Sequence, residues 1–402
     1  MVGGAEVMLE KLVARMSRNH FQNVVVSLTD AGVLGARIEK GGIPLHCLGM
    51  RRGRLGLHGL LKLVGLLRRE RPHILQTWMY HADLAGLLCG RLLGIRNVVW
   101  NVRCSNMEGC SRLTTWTIKA CARLSRRPKA VIVNSEAGQQ FHAALGYLPR
   151  QWLVIPNGFD LDRFTPDTSA RRAVRAELGL GPKAILIGLI CRLHAMKGHD
   201  TFLRAADTLA RDYPNVHFLL AGREVTRDSP DLAPLLVGNS ARENVHLLGE
   251  RRDIPRLMAS LDICTSASSY GEGFSNTIGE AMSCGIPCVV TDVGDSATIV
   301  GETGLVLPAR DFQALAEGWR RILYLGDEGR RQLGQAARQR VERHYNIEVI
   351  ANRYEQLYSS LQYPPADSKS GGVARIDRTT EWASVTPIQS LFQKPASGGR
   401  QP

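Results

Sequence analysis

No run of about 18 uncharged apolar residues occurs in the sequence, so a bilayer-crossing helix is not expected. The amino terminus lacks the apolar stretch and small-residue cleavage site of a secretory leader. None of the nine cysteines forms a CxxC pair or a spacing suited to zinc. Most, such as Cys89, Cys264 and Cys288, sit in apolar runs and read as small buried hydrophobes in reducing surroundings. Aromatic residues make up only 6% of the chain, and glycine and proline are unexceptional, which excludes a fibrous protein. No helix-turn-helix, zinc-finger or RNA-binding sheet pattern accompanies the basic charge, which argues against nucleic acid as a partner. No GxGxxG turn lies between a strand and a helix, which argues against a dinucleotide oxidoreductase.

What is present is a chain of 402 residues, 44% of them hydrophobic, enough for two domains of about 150–200 residues each. Its net charge of +14 is unevenly placed. Residues 1–160 hold 22 Lys or Arg against 9 Asp or Glu, whereas residues 161–402 hold 29 against 28. The first half therefore faces something anionic.

Short apolar segments alternate with helical periodicity along the chain, the pattern of parallel βαβ units. In the first half the strand candidates are residues 23–29, 43–48, 73–78, 97–103, 130–135 and 152–157. In the second they are 184–190, 217–222, 244–249, 262–267, 287–292 and 305–309. A helix is expected over 311–343 with a break near Gly326. The fold class is α/β, with two Rossmann-like domains over residues 1–162 and 163–344. A helix over 345–361 is expected to cross back to the first domain, and residues 362–402, rich in Ser, Pro, Gly and Thr, are expected to be disordered. A doubly wound domain opens with a strand before its first glycine turn, yet here the chain opens at MVGGAE. The expectation is a sheet lacking that strand, with a central gap. Either the true start lies upstream or the first domain is defective.

The segment GEGFSNTIGEAMSCGIPCVVTD, residues 271–292, sets Glu272 and Glu280 eight positions apart. Glu272 falls in a loop before a helix that starts near Asn276, and Glu280 lies about one turn inside it. Both can face the crevice outside the carboxyl ends of the strands, where such folds bind ligands. Free N–H groups at the helix start suit a phosphate, and the carboxylates suit ribose and sugar hydroxyls. Taken on spacing alone, the pair equally reads as glutamates that cap and solvate the helix.

This segment resembles the Glu-x7-Glu motif of glycosyltransferase family 4, the retaining family with the GT-B fold. Gly3-Gly4-Ala5-Glu6 resembles that family's N-terminal glycine turn. Asn134-Ser135, and Ile155-Pro156-Asn157-Gly158 with Asp160 and Phe164, are similar to its run into the linker. Gly188, Arg192 and Lys197-Gly198-His199 are similar to its phosphate-binding loop. The segments around TWMYHAD and TDVGDSA resemble those of bacterial surface-polysaccharide transferases.

The resemblance implies a site. Arg192 and Lys197 would hold the donor diphosphate and neutralise the leaving group without a metal or other cofactor. Gly3 and Gly4 would bring backbone close to the phosphate or acceptor. Glu272, with the N–H groups of Gly273, Phe274 and Ser275, would contact the donor sugar, and Glu280 the ribose. His81 would stand near the anomeric centre. Asp83 and Arg103 are candidates for orienting the acceptor. Asp295 stands where many relatives carry glycine and is a candidate for donor selection or for capping the helix that follows it. The implied reaction is front-face displacement with retention, from a UDP-sugar or GDP-sugar to a lipid-linked or polysaccharide hydroxyl. The basic, leucine-rich segments at 51–71 and 119–129 suggest peripheral contact with an anionic inner membrane face, in a cytoplasmic protein. A soluble-acceptor GT-B enzyme and a nucleotide-sugar-binding protein with impaired catalysis are the alternatives.

Overall fold

The computed structural model describes residues 3–362, so the expectation for the tail lies outside the described residues. The first α/β unit alternates strands β1 (Val25–Ser27), β2 (Leu45–Cys47), β3 (Leu75–Trp78), β4 (Val98–Val102), β5 (Ala130–Val133) and β6 (Trp152–Val154) with six helices. These are α1 (Gly4–Arg15), α2 (Gly32–Lys40), α3 (Leu57–Glu70), α4 (Tyr80–Leu92), α5 (Arg112–Leu124) and α6 (Glu136–Ala144). All pairings are parallel, but the sheet is in two pieces. One is β1-β2 and the other β3-β4-β5-β6, and no ladder joins β1 to β3 among the described residues. This division agrees with the expected absence of a central strand.

Shared helices hold the two pieces together. On one face α1 packs Met8, Leu12 and Met16 with Ile74 and Trp78, and Leu9 and Val13 with Val25 and Leu45. On the other, Val26, Leu28 and Leu75 meet Leu63 and Leu67 of α3 and Ala85 and Cys89 of α4. The intact part of the sheet is buried on both sides. Val99 and Ile132 point to one core, and Trp100 and Val131 to the other, as the two-residue period of strands requires.

The second unit has six parallel strands: β7 (Ile185–Ile190), β8 (Val216–Ala221), β9 (Val245–Leu247), β10 (Ile263–Ser266), β11 (Cys288–Thr291) and β12 (Gly304–Leu307). Their order is β12-β11-β10-β7-β8-β9, doubly wound with its switch point between β7 and β10. Helices α7 (Thr168–Glu177), α8 (His199–Ala210), α9 (Ala233–Leu236), α10 (Ile254–Ser260), α11 (Asn276–Ser283), α12 (Ser296–Val300) and α13 (Phe312–Tyr324) cover it. Ile187 and Leu189 face one core and Leu186 and Ile190 the other. Trp319 of α13 is fully buried among Phe202 and Phe218, and its indole N–H donates to Thr265 at 3.0 Å.

The expected break falls at Gly326, which takes φ +67° and starts α14 (Gly326–His344). The last helix, α15 (Ile347–Gln362), lies against α1, with Ile350, Tyr354 and Leu357 in the same cluster as Met8 and Leu12. The chain thus crosses between the units twice, and the crossings touch. Phe159 donates its N–H to Tyr345 O at 2.8 Å and accepts from Ile347 N at 3.0 Å.

Candidate active site

β7 ends at Ile190, and the chain turns through residues 195–197 into α8. Gly198 makes that turn with φ +67°, and a Cβ there would lie 1.9 Å from Ala267 O. Only glycine lets the turn press against the end of β10. Lys197 is thereby brought to Glu272, and its Nζ donates to Glu272 Oε2. Ser268 Oγ donates to the same oxygen at 2.9 Å. The two charged side chains are only 18% and 11% exposed, so their attraction is little screened by water. Arg192, at the mouth of the same turn, is exposed and makes no ion pair among the described residues. His199 is buried at the start of α8, with its ring against Cys191.

Glu272 precedes a row of backbone donors. The N–H groups of Gly273, Phe274 and Ser275 have no acceptor among the described residues, and they lead into α11, whose unpaired first-turn amides carry partial positive charge. The Phe274 ring anchors this loop by stacking on Phe159, 6.1 Å between centroids. Gly294 has φ +62°, and a Cβ there would sit 2.3 Å from Glu272 O, so the loop after β11 can approach only as glycine. Glu280 follows inside α11. Burial pushes its carboxyl up to about 7, opposed by the positive charges of Lys11 and Arg163.

The first unit supplies His81, in the first turn of α4. It is half-buried, and its Nε2 is buried with no hydrogen-bond partner among the described residues. Burial lowers its pKa, so the ring is neutral at neutral pH. Gly3 caps α1, and a Cβ on Gly4 would lie 3.3 Å from Asn276 Nδ2. The close approach at this glycine is thus to the start of α11.

Three sequence candidates make contacts other than those expected of them. Asp83 is fully buried, accepts from Thr77 Oγ1 at 2.5 Å, and cannot reach an acceptor. Its place just past the tip of β3 suggested the cleft, but it lies in the first turn of α4 and its side chain turns toward β3. Arg103 is consumed at the junction of the two units. It donates to Asn101, Asn157 and the Tyr354 hydroxyl, and its guanidinium lies 5.0 Å over the Trp78 ring. Asn157 in turn donates to Asn276 at 2.6 Å. Asp295 is 7% exposed, and both carboxylate oxygens accept backbone N–H groups of α6, at 2.8 Å from Glu136 and 3.0 Å from Ala137. Of its two readings the geometry favours a helix cap, on α6 of the first unit and not on α12, which follows it.

Other contributors had no sequence signal. Ser105 Oγ and Asn106 Nδ2 both donate to Gly271 O, at 2.9 and 3.0 Å, from the other side of the cleft. Lys11 lies near Glu280 and donates to Gly158 O at 3.3 Å.

Two Rossmann-like units facing a cleft, with a lysine–glutamate pair at the switch point of the second, define a GT-B glycosyltransferase. The family comparisons agree. A model described as "Glycosyltransferase Family 4" matches residues 2–163, and one described as "Glycosyl transferases group 1" matches residues 184–324. The chain belongs to glycosyltransferase family 4 and is a nucleotide-sugar-dependent hexosyltransferase acting on a hydroxyl acceptor.

Among curated relatives, the lipopolysaccharide core biosynthesis mannosyltransferase LpsB of Rhizobium meliloti (strain 1021) is 29% identical over 246 residues, 59% of this chain and 67% of the relative. The UDP-Gal:alpha-D-GlcNAc-diphosphoundecaprenol alpha-1,3-galactosyltransferase of Escherichia coli is 24% identical over 315 residues, 76% of this chain and 80% of the relative. Among solved structures, Anabaena Alr3699/HepE in complex with UDP-glucose superposes with a TM-score of 0.73 at 22% identity, covering 90% of this chain and 97% of that one.

Proposed function

We propose that this enzyme transfers a hexose, with retention of anomeric configuration, from a UDP-sugar to a hydroxyl of a lipid-linked or polysaccharide acceptor. It would work at the inner face of the cell membrane. The observation that carries this reading is the Lys197–Glu272 pair beside the unpaired amides of residues 273–275. A donor diphosphate arriving there would draw Lys197 and Arg192 to its oxygens and free Glu272 for the sugar hydroxyls. Glu280 would accept from the ribose diol. The two cations and the amides offset the charge that grows on the leaving diphosphate. A phosphate oxygen of that group would take the acceptor's proton as the new bond forms on the face it leaves, so no protein nucleophile is needed. Neutral His81, with its unpartnered Nε2, would hydrogen-bond the sugar from the opposite unit.

Two relatives act on lipid-bound acceptors by name: the diphosphoundecaprenol galactosyltransferase and a phosphatidylinositol monomannoside mannosyltransferase of Corynebacterium glutamicum. The first names UDP-Gal as donor and the second GDP-mannose, so the nucleotide is a point for experiment. Support for membrane contact comes from α3 and α5. α3 buries Leu63 and Leu67 but leaves Leu57 and Leu61 exposed; α5 exposes Leu113 and Trp116 beside Arg112, Lys119 and Arg123. Apolar side chains amid cations suit an anionic interface. No helix of the described residues is long and apolar enough to cross a membrane.

The test is transfer of labelled sugar from a panel of UDP- and GDP-sugars with membranes as acceptor source, and the anomeric configuration of the product by NMR. Label from a UDP-sugar in the lipid fraction, in the donor's own configuration, supports the proposal. Transfer only to small soluble acceptors, with none to lipid-linked or polysaccharide material, or an inverted product, overturns it.

A further inference from the structure

The loop that carries Glu272 is held on both sides, by the first unit before it and by Asp295 of its own unit after it. Before Glu272, the Gly271 carbonyl accepts from Ser105 and Asn106. After it, the Gly273 carbonyl accepts the backbone N–H of Asp295 at 2.9 Å. The Asp295 carboxylate then spans the cleft to the start of α6. The fit between loop and first unit is close, for a Cβ on Gly273 would lie 3.0 Å from both Ser105 Oγ and Ser135 Oγ.

The capping of α6 is divided between the two units. A helix leaves its first N–H groups without intrahelical partners. Here Ser135 Oγ satisfies Gly138 N at 2.9 Å from within the first unit, and Asp295 satisfies Glu136 N and Ala137 N from the second. A carboxylate on two amides at a helix start is a strong, directional contact. It exists only while the units are closed on each other.

We propose that Asp295 is a positioning residue that couples closure of the cleft to the placement of Glu272. Closing docks the carboxylate on α6, and the same residue's N–H holds the Gly273 carbonyl, so the loop reaches its working position only when the first unit is seated. Opening breaks the carboxylate's contact with α6 and the Ser105 and Asn106 contacts with Gly271, and leaves the Asp295–Gly273 bond, internal to the second unit, as the loop's one remaining hold of the three. This rests on the reading that Glu272 contacts the donor sugar. Asp295 itself touches no substrate.

The test compares Asp295→Ala, Asp295→Asn and Glu272→Gln in the full chain, with UDP affinity, steady-state kinetics, thermal melting and small-angle scattering with UDP present. For Asp295→Ala the expected results are UDP affinity within about threefold of the parent, a more open particle, and kcat lowered about tenfold or more through misplacement alone. Asp295→Asn keeps one acceptor oxygen and is expected to recover part of both closure and kcat. The proposal is overturned if Asp295→Ala leaves closure and kcat unchanged. It is also overturned if the loss falls on one donor sugar while another gains, or if UDP affinity and melting fall together in both variants. Glu272→Gln reports separately on the sugar contact: if it keeps full kcat while Asp295→Ala opens the cleft, the latch stands and the assigned role of Glu272 fails.

Discussion

Lys197 and Glu272, 75 positions apart, are joined by a charge-assisted hydrogen bond at the carboxyl end of the second sheet. The pair keeps both side chains beside the place that a ligand with separate anionic and hydroxyl parts would occupy, and a donor exchanges this bond for its own contacts with each of them. Lys197→Met is expected to lower kcat/KM by about 10²–10³. Glu272→Gln keeps the shape but weakens acceptance from sugar hydroxyls, and is expected to cost less. Steady-state kinetics beside melting curves check this. A fall in melting temperature matching the fall in rate counts against a catalytic origin.

Glu280 gives the donor site a pH dependence. Its carboxyl is raised to about 7 by burial, so protonation is favoured in the fold and ionisation is needed to accept two ribose hydroxyls. With an ionisation midpoint near 7, the charged fraction rises about tenfold between pH 6 and 8, and nucleotide affinity should rise with it. The stability effect has the opposite sign. A carboxyl raised above its unfolded value of 4.5 destabilises the fold progressively as pH climbs from about 4.5 to about 7, and adds little above that. Glu280→Gln should flatten both trends. Titration calorimetry with UDP at pH 6, 7 and 8 reads the first, and melting at pH 5, 6 and 7 the second.

Asp83 should matter for stability rather than for substrate. Burial raises its pKa well above the ordinary carboxylate value, so the neutral form is the one that fits beside Thr77. Asp83→Asn is expected to be tolerated, and most clearly so at alkaline pH, where the parent must bury a charge. Asp83→Ala leaves Thr77 Oγ1 without its close partner and is expected to cost about 1–3 kcal/mol. Acceptor KM should stay unchanged in both, measured with the acceptor found in the transfer assay.

The divided sheet predicts uneven amide exchange. β4 and β5 are paired on both sides, whereas β1 and β3 each have one unpaired edge among the described residues. Local opening follows the density of protected hydrogen bonds. Exchange followed by mass spectrometry should be faster in peptides covering 25–27 and 75–78 than in those covering 98–102 and 130–133. Equal protection of all four would contradict this picture.

The residues readable from sequence share a property. Arg192, Lys197, Glu272 and Glu280 lie on loops and a helix of one doubly wound unit, where strand ends converge by topology, and short motifs that resemble the family's single them out where spacing alone left a cap as an equal reading. The βα alternation was legible in the local pattern, as was the break at Gly326, whose left-handed backbone glycine tolerates at no cost. What stayed hidden depends on the meeting of the two units. Asp295 bonds with amides 159 and 158 positions away, and Ser105 and Asn106 with a carbonyl 166 and 165 positions away. Nothing in the local sequence at either end encodes that distance. Asp83 misled because it follows closely on the tip of β3, where polar side chains of such folds commonly reach the cleft, and here a threonine inside the fold takes it instead.

The paired crossing at Phe159 and Tyr345–Ile347 has a mechanical consequence. A single tether would leave each unit free to swing and twist about the other. Two stretches of backbone lying side by side and bonded to each other resist that twist, so rotation about a line through Phe159 is the motion expected to remain. Motion so restricted returns the same faces to register at every cycle, so loops more than a hundred residues apart can meet repeatedly without having to search for one another.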